Sequence, residues 1–159
     1  MKPDPAAAEC PANTSDASIG IVVSDWHSEI TNSLLEGALS TLKQCGVEEE
    51  DIYVAHVPGA MELTFAARQM SNVVEPSAVI VLGSVTEEQN PQFGVICQSI
   101  THGITELNLH SDIPFIFGVL ITHTLDEAKA MSAGSDNKGS ESAEAALKMV
   151  SMMAHLVNQ

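Results

Sequence analysis

Four short apolar runs, each followed by a longer amphipathic stretch, constrain this chain more than any other feature. They read "SIGIVVSD" (18–25), "DIYVAHV" (51–57), "SAVIVLGS" (77–84) and "PFIFGVLIT" (114–122). Runs of this length, rich in β-branched residues and bounded by turn residues, are strands. Between the first two, "SEITNSLLEGALSTLKQCG" (28–46) places Ile30, Leu34, Leu35, Ala38, Leu39 and Leu42 on one helical face, with Ser28 a candidate N-cap and Gly46 a candidate stop. Further helices are expected over "MELTFAARQM" (61–70), from about Gln92 to Leu109, briefly from Leu125, and from about Lys138 to Val157. The unbroken apolar residues Val79 to Leu82 leave that strand no polar face, so it is covered on both sides. The expected architecture is α/β: a four-stranded parallel sheet between two helical layers.

A chain of 159 residues suits one such domain and not two. The domain is expected over residues 18–159. Residues 1–17, "MKPDPAAAECPANTSDA", carry the Pro, Ala and small polar content of a flexible arm and lack the basic start and apolar stretch of a secretion signal. Six Lys and Arg against 21 Asp and Glu give a net charge of 6 − 21 = −15, which repels phosphate backbones and anionic headgroups. Nucleic acid and membranes are therefore poor partners. Cys10, Cys45 and Cys97 are odd in number and widely spaced, neither a disulfide framework nor a zinc set, and a reducing cytoplasm fits them best.

Ligands of parallel sheets bind beyond the carboxyl ends of the strands, which here are the loops "SDWHSE", "HVPGAME", "GSVTEEQNPQ" and "LITHTL". Trp26, the single Trp, offers a flat face for a planar heterocycle or a cap for the core edge. His27 reads as a surface histidine, and Ser28 and Glu29 as helix-start residues. Pro58 and Gly59 make a tight turn that lets a ligand approach the backbone, and Glu62 follows at the helix start.

Five fragments in this order, "VVSDW-HSEIT-LLEGAL" (22–39), "VPGAMEL" (57–63), "AVIVLGSV" (78–85), "IPFIFGVLITHTLDEA" (113–128) and "NKG" (137–139), together resemble the 6,7-dimethyl-8-ribityllumazine synthase family of riboflavin synthesis. The resemblance covers about residues 18–155 and implies a flavodoxin-like three-layer α/β/α sandwich. It also implies a homo-oligomer, a pentamer in some members closed into a sixty-subunit icosahedral shell, with active sites between neighbouring subunits. The implied reaction joins 5-amino-6-(ribitylamino)uracil to 3,4-dihydroxy-2-butanone 4-phosphate with neither metal nor organic cofactor. By position, Trp26 is implied to stack on the pyrimidine. Ser28, Glu29, Gly59, Ala60, Met61, Glu62 and Val85 fall in the substrate-binding segments. Phe117 is implied to come from the neighbouring subunit, and Lys138 to be a retained basic group.

The loop after the third strand departs from the family pattern. Where relatives typically read Cys-Val-Ile-Arg-Gly-Glu-Thr-Pro-His-Phe, this chain has Ser84, Val85, Thr86, Glu87, Glu88, Gln89, Asn90, Pro91, Gln92 and Phe93. Glu87 stands at the Arg position, Glu88 at the phosphate-loop Gly, Asn90 at the Thr and Gln92 at the proton-transferring His. A second Arg position, before "NKG", falls on Ala130 or Met131. A phosphate dianion requires amide donors and a cation, and glutamine has no proton to exchange near neutral pH. The resemblance therefore implies a site with its pyrimidine half kept and its phosphate and proton-transfer half altered. Three readings follow: a slow synthase, a non-catalytic shell, scaffold or flavin-like-ligand binder, or an enzyme for an unphosphorylated or cationic substrate.

Overall fold

The computed structural model of the chain describes residues 10–159. Its elements are β1 (Ile19–Ser24), α1 (Ser28–Gln44), β2 (Ile52–Val57), α2 (Leu63–Val74), β3 (Ala78–Thr86), α3 (Phe93–Leu109), β4 (Phe115–Thr122), α4 (Leu125–Met131) and α5 (Lys138–Val157). The strands form one parallel sheet in the order β2-β1-β3-β4, so the expected α/β/α sandwich stands. Parallel neighbours need crossover helices, and each inter-strand stretch supplies one.

Strand β3 is central and buried along its whole length, as its unbroken apolar run requires. Its alternate residues feed two cores. Ile80 and Leu82 join Leu34, Ala38 and Leu42 of α1 and Ala143, Ala146 and Leu147 of α5. Val79, Val81 and Val85 join Leu63 and Ala67 of α2 and Ile100 and Ile104 of α3. Burying each Leu or Ile contributes about 1.5–3 kcal/mol.

Helices α1 and α5 cross almost backbone to backbone. A Cβ placed on Gly139 would lie 1.8 Å from the Leu34 carbonyl oxygen, so only glycine fits. Asn137 fixes the crossing. Its side-chain carbonyl accepts from Gly139 N and Ser140 N, capping α5, while its amide donates to the carbonyls of Ser33 and Ser132 at 2.8 Å each. The "NKG" fragment is thus first a packing device.

Three local expectations are corrected. Ser28 does not cap α1. The cap position is His27, whose backbone is left-handed (φ 57°, ψ 50°), and Ser28 is already helical. Helix α2 starts at Leu63 and runs to Val74, because Ala60–Glu62 form a separate 3₁₀ turn. Gly46 does end α1, with φ 85°. Third, the cysteines are not all free: Cys10 is bonded to Cys45, with their Cα atoms 5.2 Å apart, leaving Cys97 as the free thiol. Sequence spacing concealed this pair, because it forms only once the arm folds back along the end of α1. Of the arm, residues 1–9 lie outside the described residues. Beyond Cys10, Thr14 and Ala17 are buried, and Ala17 joins the α1 core.

Candidate ligand site at the carboxyl ends of the strands

The four loops named from sequence converge at the carboxyl edge of the sheet. Between three of them lies a cavity of about 270 Å³, lined by Trp26, Gly59, Ala60, Met61, Glu62, Ser84, Val85, Asn90 and Ile96. Trp26 and Met61 are each 52% exposed, leaving apolar faces open at the mouth. Gly59 serves by close approach: a Cβ there would sit 3.1 Å from a Glu62 carboxylate oxygen. The arrangement offers a flat aromatic face, backbone on two sides and one carboxylate, which suits a planar ring bearing polar substituents.

The other residues singled out from sequence are distributed around this cavity. Val85 lies in its wall, whereas Ser28 and Glu29 do not line it, and Glu29 is exposed and pairs with Lys129 of α4 at 3.6 Å. Gln92 is an exposed residue at the N-cap of α3 and makes no side-chain capping bond. Phe117 and Lys138 meet in a different cleft of about 220 Å³, together with Glu141 and Lys148. There the Lys138 ammonium donates to Glu141 at 2.7 Å. Ala130 is exposed on α4 and supplies no cation.

The turn between β3 and α3 has its own structure. Glu87–Gln89 form a 3₁₀ turn closed by Asn90, whose amide donates to the Thr86 carbonyl at 2.9 Å. Both carboxylates turn toward the loop after β4. Glu88 accepts from Leu125 N at 2.7 Å, while its own N–H donates to the His123 carbonyl. Glu87 accepts from His123 Nδ1 at 2.5 Å. The neighbouring Gln89 accepts from His27 Nε2 at 2.6 Å, and His56 Nδ1 donates to Asp25 at 2.8 Å. Three histidines therefore link successive strand ends in sheet order: β2 to β1, β1 to β3 and β3 to β4.

Sequence reasoning took His27 for a surface histidine and singled out neither His56 and His123 nor Ser84 and Ile96 in the cavity wall. The only sequence signal was that each lies in or beside a loop at the carboxyl edge. Among the described residues, four buried polar atoms lack a protein partner: Ser24 Oγ, His27 Nδ1, Ser84 Oγ and Thr86 Oγ1, all near this edge. Among the described residues no cluster of His, Cys, Asp and Glu is arranged to hold a metal ion.

The sequence matches the family described as 6,7-dimethyl-8-ribityllumazine synthase over residues 16–154. The chain belongs to that family. It is 48% identical to the 6,7-dimethyl-8-ribityllumazine synthase of Parabacteroides distasonis over 143 residues, 89% of each chain. It is 44% identical to that of Bacteroides fragilis over 132 residues, 82% of this chain and 92% of the relative. It is likewise 44% identical to that of Porphyromonas gingivalis over 138 residues, 86% of each. For a lumazine synthase homologue, the segments implied to hold the pyrimidine, around Trp26, Gly59 to Glu62 and Val85, are the ones that line the cavity.

Proposed function

We propose that this chain binds 5-amino-6-(ribitylamino)uracil in the cavity beside Trp26. There it condenses the pyrimidine with 3,4-dihydroxy-2-butanone 4-phosphate to 6,7-dimethyl-8-ribityllumazine, at a rate lowered by its altered loop. The observation that carries this is the cavity itself, which unites Trp26, Gly59, Ala60, Met61, Glu62 and Val85 around a space sized for one ring system. The stacking face and the Glu62 carboxylate orient the pyrimidine, and holding two reactive partners together supplies much of the acceleration in such a condensation. Gln92 in place of a general acid-base group removes roughly 10² to 10⁴ in rate. Glu87 and Glu88 are bonded to the loop after β4, yet their charge still opposes a phosphate nearby.

The site is completed by a second copy. Phe117 and Lys138 lie in a cleft separate from the Trp26 cavity, which fits a homo-oligomer in which they face a neighbour's cavity. Phe65, Val73 and Val95, exposed on α2 and α3, supply apolar surface for such contacts. A pentamer, and a sixty-subunit shell built from it, belong to the same proposal. So does a cytoplasmic location, which rests on the family membership; separately, no helix among the described residues is long and apolar enough to cross a membrane. The Cys10–Cys45 bond is the observation against that location, and thiol alkylation in intact cells decides it.

A second reading is a non-catalytic binder or assembly protein, favoured by Glu87, Glu88, Gln92 and Ala130 standing together at the phosphate and proton-transfer positions. One experiment separates the two: lumazine formation from both substrates, followed by absorbance, with Gln92→His in parallel. Saturable turnover above the uncatalysed rate, increased in Gln92→His, is the expected result. A background rate in both proteins, with the lumazine still bound, establishes the second reading.

A further inference from the structure

We propose that His123 is a positioning residue: its ring and the Glu87 carboxylate form a pH-sensitive latch that holds the turn after β3, and with it the cavity wall at Asn90. The inference rests on the reading of that cavity as the ligand site. Three observations lead to it. The ring donates from Nδ1 to Glu87 across two loops that are 36 positions apart. The same two loops are also joined by backbone, Glu88 N–H to the His123 carbonyl and Leu125 N–H to the Glu88 carboxylate, so they move as one body. Asn90 closes the turn that Glu87 opens and lines the cavity, so a displacement of Glu87 reaches the ligand wall within one 3₁₀ turn.

The charges around His123 give the latch its sign. Glu87 faces it from the β3–α3 loop, the neighbouring Glu88 carboxylate is turned to Leu125 N, and Glu127 of α4 accepts its backbone N–H at 2.9 Å. No basic group is bonded to it among the described residues. The hydrogen bond to Glu87 raises the His123 pKa above its ordinary value, followed by the charges of Glu87 and Glu127, while partial desolvation opposes them. A histidine whose folded pKa is raised adds its full stabilisation below about pH 6.5, its ordinary pKa, and loses it as pH rises through the raised value. The latch is therefore tight in mild acid and slack in mild alkali.

The test uses the full chain and two variants that keep a hydrogen bond but remove the charge, His123→Gln and Glu87→Gln. Amide hydrogen exchange of the segment 86–92 is compared between proteins at each pH, which cancels the intrinsic chemistry of exchange. Binding of 6,7-dimethyl-8-ribityllumazine is measured by its fluorescence in the same buffers. At about pH 5.5 the segment should exchange about two- to fivefold faster in either variant than in the parent, the range of an exposed ion pair, and the gap should close by about pH 8.5. Lumazine affinity should fall with pH in the parent by a similar factor beyond the change in the variants. Equal exchange in all three proteins at every pH overturns the latch, and so does lumazine binding that is measurable in all three with one and the same pH profile. A pH-dependent exchange gap with no lumazine binding in any protein upholds the latch and sinks the assignment of the cavity instead.

Discussion

Replacing Asn137 separates two roles that one side chain combines. In Asn137→Ala, α5 loses the acceptor for Gly139 N and Ser140 N, an N-cap worth about 1 kcal/mol. The carbonyl of Ser132 loses a buried donor, costing about 1–2 kcal/mol. Ser33 loses less, because its carbonyl lies inside α1 and keeps a place in the helical ladder. The vacated space faces Gly37, which has no side chain to fill it. The sum is roughly 2–4 kcal/mol. Asn137→Asp sharpens the test, since Asp caps an exposed helix as well as Asn does. Here it would turn a carboxylate oxygen toward two carbonyls at the 2.8 Å now occupied by donors. At neutral pH it should cost at least as much as Ala, with the difference shrinking in acid as the carboxyl gains a proton. Urea unfolding followed by far-UV circular dichroism, at one fixed protein concentration, measures both. If Asn137→Asp lies within about 0.5 kcal/mol of the parent, the size of a neutral surface change, the donations to Ser33 and Ser132 contribute nothing and the crossing is held by other means.

Gly139→Ala should be worse than either, because its Cβ would meet the Leu34 backbone at 1.8 Å. A loss above about 3 kcal/mol, or no folded protein at all, is expected, and a melting temperature within a few degrees of the parent would show that α1 and α5 separate easily. For the cysteines, non-reducing conditions should leave one thiol per chain open to alkylation and reductant should expose three. Because the bond closes a loop across 35 positions, Cys45→Ser should cost up to about 4 kcal/mol relative to the oxidised chain. Three reactive thiols without reductant would show that the bond is absent in solution. Trp26→Ala should weaken lumazine binding by about 1–3 kcal/mol, the worth of one aromatic stack, and leave folding nearly unchanged, since the side chain is half exposed. An unaltered affinity would remove the Trp from the ligand site.

The sheet and the order of its helices were legible because burial on both faces leaves a run such as Val79 to Leu82 no alternative to a central parallel strand. Element ends were less so. His27, rather than the expected Ser28, takes the cap position and is left-handed, because the chain must turn from β1 into α1 within the three residues Asp25 to His27, a geometry that no local propensity announces. The Cys10–Cys45 pair was hidden for a related reason: proximity across 35 positions is a property of the fold, and spacing rules describe only local sites.

Charge was where sequence reasoning stopped short. By position alone, Glu87 and Glu88 stand where a phosphate would be met by an Arg and a Gly, which would set two carboxylates against it if both side chains pointed there. They point elsewhere, to His123 Nδ1 and Leu125 N. Screened Coulomb repulsion falls with distance, so a carboxylate turned away opposes a neighbouring dianion less than one that faces it, whereas a missing guanidinium removes its attraction outright. The absent arginine is therefore the larger perturbation. Restoring a cation beside the cavity should do more for ketose phosphate recognition than neutralising Glu88, and comparing KM for the ketose phosphate in Ala130→Arg or Met131→Arg with that in Glu88→Gln tests that order directly. If Glu88→Gln lowers KM more than either arginine does, the carboxylate acts on the substrate itself and its bond to α4 gives way when substrate arrives.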